Sequence, residues 1–174
     1  MNNRKKSRYG NATLEFTLIG IPLMFVLIST FEMARGMWLY HTMAYAVKEG
    51  ARYTITRGQN SPAANQLPMS AICGYVVKQG PGLIAHNLTL TFTSFGGASG
   101  PYLADACPGT KWPPGGVDGS GNPILDNQPG QAITITARYP FQSTIVLFWP
   151  GVKGGGMTFP TVTFPAAASE VMQF

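Results

Sequence analysis

Glu15 stands at the edge of an uncharged run, residues 16–31 (FTLIGIPLMFVLISTF), which is closed at its far end by Glu32. A carboxylate beside so apolar a stretch is costly unless it meets a partner or stays hydrated. The plainer reading leaves Glu15 hydrated in a headgroup layer, where it marks the boundary of the run. The chemical reading starts in the string Gly10-Asn11-Ala12-Thr13-Leu14-Glu15-Phe16. If the chain is cut after Gly10, the new amino group at Asn11 lies four residues before Glu15, one helical turn away, where an ammonium would offset the desolvation of the carboxylate. In an assembled fibre a neighbouring subunit can supply that ammonium instead.

Other groups capable of chemistry are few. Neither His41 nor His86 has ligand spacing to Cys73 or Cys107, so no metal site and no cofactor is expected. Residues 118–122 (DGSGN) alternate oxygen ligands as a calcium loop does, but Pro123 stands at the sixth position, where glycine is needed, and Pro129 at the twelfth, where a bidentate Glu is needed. The stretch reads as a solvated turn. No G-x-S-x-G, Walker A or H-E-x-x-H pattern occurs, so no catalytic residue is assigned and an enzyme is not expected.

The elements that position Glu15 follow from charge and length. The formal net charge is +5, but Arg4, Lys5, Lys6 and Arg8 supply four of the twelve basic residues, and the rest of the chain holds eight basic against seven acidic residues. A nucleic-acid surface is a poor reading of that distribution. A basic run directly before an apolar stretch instead holds the short end of a membrane protein in the cytoplasm. Sixteen uncharged residues rise about 24 Å, short of the roughly 30 Å of bilayer hydrocarbon. The helix must therefore recruit residues 12–14 and 33–40, with Arg35 snorkelling and Trp38 and Tyr40 at the headgroup boundary. Gly20 and Pro22 lie inside the run, where a membrane helix accommodates them, and a local kink is expected there.

Two other readings compete for this stretch: a cleaved signal peptide and a buried soluble helix. Residues 32–57 weigh against the first, since they continue in helical style without a small-residue cleavage site. Residues 12–56 thus read as one long helix, apolar first and amphipathic later, with Glu49 near Arg52 as a one-turn pair.

Gly10-x-Ala12-x-Leu14-Glu15-Phe16 after a basic leader resembles the opening of the TadE-like family, in the short-leader form of prepilin processing sites. Residues 46–53 (AVKEGARY) resemble the Ala-rich, E-G-A-R segment that closes that family's long helix. The resemblance is specific over residues 4–57 and architectural beyond. It implies a minor pilin or pseudopilin of a tight-adherence (Tad) pilus, processed by a prepilin peptidase and partnered by other pilin-like subunits and the Tad secretion machinery. Gly10 would precede the cut, Asn11 would be the new N-terminus, and Glu15 would guide processing or assembly. Phe16 would open the packing helix. The implied location is the bacterial inner membrane, single-pass, with the N-terminus cytoplasmic and the C-terminal part outside, or within a pilus.

Past residue 57 the texture changes. Residues 58–65 are turn material, and residues 67–78 (LPMSAICGYVVK) read as a short helix with Pro68 near its start and Gly80-Pro81-Gly82 at its end. Residues 88–95 and 132–139 alternate with period two and read as strands. Residues 144–149 are ambiguous between buried strand and helix start, and residues 158–164 read as an edge strand because of Pro160. Residues 96–130, with nine glycines and six prolines, are expected to form a long surface loop, the best place for contact with a partner. Cys73 and Cys107, in an exported domain, more often pair than stay free, and pairing would stabilise by roughly 3–4 kcal/mol.

The expected class is α+β: a leader over residues 1–10, a transmembrane and amphipathic helix over 11–57, and an exported domain with a small antiparallel sheet over 58–174. Small residues such as Gly20, Ser29, Ala34 and Gly36 suit close helix approach in a membrane or fibre. The competing function is an uncleaved, membrane-tethered binding or adhesion module. A cell-envelope enzyme would need a catalytic constellation that the residues do not supply.

Overall fold

The computed structural model describes residues 9–57, 67–114, 121, 126, 128–143 and 161–173. The chain is α+β. Helix α1 (Tyr9–Ile55) is followed by α2 (Met69–Gln79), a 3-10 turn at Ala85–Asn87, and strands β1 (Thr89–Ser94), β2 (Gly97–Leu103), β3 (Ala132–Phe141) and β4 (Val162–Val171). The described residues fall into two compact units, one within Met1–Gly36 and Ser143–Phe159, the other within Met37–Gln142 and Pro160–Phe174.

In the first unit α1 passes through Pro22 without interruption. Its described side chains from Ala12 to Phe31 are exposed, apart from the half-buried Gly20 and Ile28. The only hydroxyls bonding back along this stretch, among the described residues, are those of Thr17, donating to the Thr13 and Leu14 carbonyls at 3.1 and 3.0 Å, and Thr30, donating to Val26 at 2.8 Å. Such bonds satisfy a hydroxyl locally where neither water nor a side-chain partner is at hand.

In the second unit the rest of α1 is amphipathic. Leu39, Met43, Ala46, Val47, Ala51 and Ile55 are buried, spaced by three and four residues, and so form one stripe along the helix. The stripe meets Met69, Ile72, Cys73 and Val76 of α2 and the inner face of the sheet. That inner face carries Leu90 and Phe92 of β1 and Ile133, Ile135, Ala137 and Tyr139 of β3, alternating with half-buried threonines and, on β3, the exposed Ala132 and Arg138. Burying each large aliphatic or aromatic side chain contributes about 1.5–3 kcal/mol. Trp112 closes the core edge-on against Phe92, with ring centroids 5.0 Å apart.

The sheet is antiparallel throughout, in the order β2-β1-β3-β4. The long-loop expectation for residues 96–130 is corrected at its start, where β2 pairs with β1 as a hairpin. A strand written GASGPYL escapes the usual pattern because it is an edge strand, which tolerates Pro101. Its glycines also have a geometric role: Gly97 and Gly100 take φ of +135° and +116°, and a Cβ at Gly100 would come within 3.0 Å of the Leu90 carbonyl. Past Leu103 the described part of the segment is irregular, with one bridge between Lys111 and Pro68.

The second edge also differs from expectation. β4 runs from Val162 to Val171, contains Pro165, and extends past the expected end at 164 through an alanine-rich stretch that alternation does not mark as a strand, while residues 158–160 lie outside the described residues. It pairs with the full length of β3, from Val162 opposite Phe141 to Val171 opposite Ala132. Residues 144–149 and the turn expected at 58–65 lie outside the described residues, as do Pro160, the basic leader up to Arg8, and Asp118 and Pro123 of the rejected calcium loop.

Candidate functional site

The candidate site is α1 itself, with its two sequence motifs at its two ends. Gly10 and Asn11 lie in the first turn of the helix, and Glu15 and Phe16 are exposed one turn further along. Phe16 and Gly20, four residues apart, share a face: a Cβ on Gly20 would meet nothing but the Phe16 ring, 3.9 Å away, among the described residues. The missing side chain leaves a shallow groove of about 350 Å³ running past Phe16, Gly20, Met24 and Ile28. Polar groups are almost absent from its walls. Its shape and chemistry suit another apolar helix, since lipid-exposed helices approach each other where small residues let the backbones close in.

Where the apolar run ends, Glu32 and Arg35 form an ion pair across one turn at 3.0 Å. Pairing lowers the cost of holding two charges beside hydrocarbon.

The second motif, residues 46–53, seats α1 in the folded unit. Gly50 is buried, and a Cβ there would collide with Val76 Cγ2 of α2 and reach within 3.9 Å of Ile135 Cδ1 of β3. Ala46, Val47 and Ala51 are fully buried around it. Glu49 and Arg52 pair at 3.2 Å, and the same guanidinium reaches Glu170 of β4 at 3.9 Å. The motif therefore combines close packing on one face with a charge bridge from helix to edge strand on the other. The Glu49–Arg52 pair is legible in the sequence, whereas the packing of Gly50 and the Glu170 partner are not, because close approach and long-range pairing depend on what lies across the interface.

Cys73, buried on α2, and Cys107, in the irregular segment, form a disulfide with Cα atoms 6.4 Å apart. Beside it the Met69 and Ser70 amides donate to the Thr110 and Pro108 carbonyls, at 2.8 and 2.9 Å. The start of α2, which has no side-chain cap, is satisfied in this way by the segment the disulfide ties to it. Ser94 donates to the buried Asp126 at 2.5 Å, a contact that no pattern in the sequence announced.

His86 and Asp105 pair at 3.0 Å, both solvent-accessible. A groove of about 900 Å³ on the outer face of the sheet has threonine walls, with His86 and Arg138 at its rim. Among the described residues no group of three or more His, Cys, Asp or Glu side chains is placed to hold a metal ion. His41 lies on α1 with its ring edge-on to Tyr40.

One helix of the described residues is long and apolar enough to cross a membrane, by length and composition, within Ala12–Thr54. No curated protein and no solved structure matches the chain. The model of one protein family does match, over residues 10–52, a span that begins at the glycine before Asn11 and ends at the arginine that bridges Glu49 and Glu170. Over that segment, which holds both motifs and the helix between them, the chain is similar to TadE-like proteins.

Proposed function

We propose that this protein is a minor pilin or pseudopilin of a Tad-type pilus, non-enzymatic, anchored in the inner membrane by α1 and carrying its disulfide-bearing α+β unit outside the cytoplasm. The observation that carries the reading is the family match over residues 10–52, which joins the Gly10 and Glu15 motif to the E-G-A-R segment on one continuous helix. The exposed apolar face from Phe16 onward supports it, because such a face needs lipid or other helices as its surroundings. In this reading a prepilin peptidase cuts after Gly10, and Asn11 becomes the working N-terminus. Glu15 then accepts the new ammonium, its own or that of a neighbouring subunit. The leader, the transmembrane and amphipathic helix and the exported unit form three functional segments: address, assembly stem and partner-selecting head.

Intact mass of C-terminally tagged protein, expressed with and without the peptidase, tests this directly. The expected result is a peptidase-dependent loss of residues 1–10. Glu15→Ala is expected to block processing or, if it is still cut, to fail to co-purify with pilin partners. Full-length protein under both conditions would leave an uncleaved membrane-tethered module as the better account.

A further inference from the structure

We infer that the groove on the outer face of the sheet binds an acidic polysaccharide, with threonine hydroxyls bonding to its sugar rings and the Arg138 guanidinium to one of its carboxylates. Every residue of the groove belongs to the second compact unit, so the inference does not depend on what surrounds α1.

The groove, of about 900 Å³, crosses all four strands. At a strand spacing of about 4.8 Å that makes it roughly 14 Å wide. The register sets Thr89 of β1 opposite Arg138 of β3 and Thr91 opposite Thr136, with Leu103 of β2 beyond Thr89 and Thr163 of β4 beyond Pro140. All of these alternate with the buried residues of the inner face. Their hydrogen-bonding capacity is unused: among the described residues the hydroxyls of Thr89, Thr91, Thr136 and Thr163 have no protein partner, whereas Thr134, outside the groove, donates to Ser169 of β4 at 3.1 Å. Arg138 is exposed and makes no ion pair among the described residues. The other two charges beside the groove, His86 and Asp105, occupy each other at 3.0 Å.

These features select the occupant. The backbones of β1 and β3 are paired on both sides, so the floor offers side chains only, and an extended peptide, which binds a sheet through main-chain bonds at its edge, gains little here. No Phe, Tyr or Trp is among the described residues that line the groove, so nucleic-acid bases find no stacking platform, and a single unpaired cation matches a polyphosphate poorly. What remains is a set of hydroxyls that both donate and accept, small apolar surfaces at Pro101, Leu103 and Pro140, and one planar fork of guanidinium donors. A sugar chain presents hydroxyls and C–H faces to match the first two. A uronic acid adds the carboxylate that a guanidinium holds through two parallel bonds. A neutral sugar lying on Arg138 would desolvate the cation without pairing it, which is costly.

Titration of the detergent-solubilised full-length chain with a labelled hexamer of galacturonic acid tests the site, with maltohexaose and hexaglutamate as comparisons. The galacturonate hexamer is expected to bind and the other two to bind much more weakly. Arg138→Gln should weaken binding about tenfold, the loss expected for a hydrogen-bonded charge pair. Thr136→Val, which keeps the shape and removes the hydroxyl, should weaken it by about two- to fivefold. Lys78→Gln, which removes an exposed cation on α2, should leave it unchanged. An equal loss in Lys78→Gln and Arg138→Gln would show diffuse attraction to a basic protein and overturn the site. Maltohexaose binding as tightly as the galacturonate hexamer would overturn the role of the carboxylate, hexaglutamate binding more tightly would overturn the sugar, and no binding of the galacturonate hexamer would overturn the inference outright.

Discussion

A Cβ on Gly50 would strike Val76 Cγ2, one of two methyls on a stiff β-branched side chain, so the neighbour has little freedom to yield. On an isolated helix Gly→Ala is favourable by about 1 kcal/mol. Here overpacking, which costs about 1–3 kcal/mol, opposes that gain. Gly50→Ala is therefore expected to lower the stability of the detergent-solubilised protein by up to about 2 kcal/mol in chemical denaturation, and in a Val76→Ala background the same change should become neutral or stabilising. Equal effects in both backgrounds would show that α2 does not press on this glycine. Arg52 is a contrasting case. It bridges Glu49 and Glu170, but its side chain is 56% exposed, so such a pair contributes at most about 1 kcal/mol and its value lies more in orienting β4 than in stability. The two residues sit side by side in one sequence motif, yet packing makes one intolerant and solvent makes the other forgiving.

At the scale of elements, α2 and the segment after β2 hold each other. The disulfide spans a separation of 34 residues, and the amides of Met69 and Ser70 depend on carbonyls that the cross-link keeps in place. Replacing both Cys73 and Cys107 by serine is expected to cost roughly 3–4 kcal/mol on the chain-entropy model. Amide exchange should rise first at Met69 and Ser70, ahead of β1 and β3, whose ladder bonds do not involve the segment. Uniform acceleration across sheet and helix would show that the cross-link acts only on the unfolded chain. The same elements show what was legible in the sequence. The long helix, α2, β1 and β3 announced themselves, because periodicity of 3.6 or 2 is written in the apolar residues that the core consumes. β2 and most of β4 did not. Both are edge strands that bury little, so nothing forces alternation on them, and their glycines, proline and alanines read as loop. Of the candidate site, the Glu49–Arg52 pair was readable because its logic is local. The clasp of Gly50 by Val76 and Ile135, the Ser94–Asp126 bond and the Glu170 partner of Arg52 were not, since each joins residues far apart in the chain.

At the scale of the whole molecule, the proposed placement of the head outside the cytoplasm depends on which way α1 is threaded. Arg4, Lys5, Lys6 and Arg8 cluster on one side of the apolar run, against the more widely spread Arg35, Lys48, Arg52 and Arg57 on the other. Basic residues within about 15–20 positions of a span decide orientation, acidic ones contribute little, and a long following domain crosses largely regardless of its own charge. Changing the four leader residues to glutamine leaves the basic excess on the head side alone and is expected to retain much of the protein with its head in the cytoplasm. Glu15→Ala, which removes only an acidic group, should leave the threading unchanged even if it blocks processing. The disulfide reports the outcome. In a reducing cytoplasm Cys73 and Cys107 stay as thiols, whereas in the oxidising periplasm they pair. Alkylation of free thiols after rapid acid quenching should therefore leave wild type and Glu15→Ala unmodified, and should label a large fraction of the glutamine variant at both cysteines. Protease added to spheroplasts is expected to divide the same samples in the same way, digesting the head of the unlabelled proteins and sparing the labelled one. A glutamine variant that remains oxidised and protease-accessible would mean that the apolar helix and the head set the topology without the leader, and the basic residues would then belong to recognition by the processing enzyme instead.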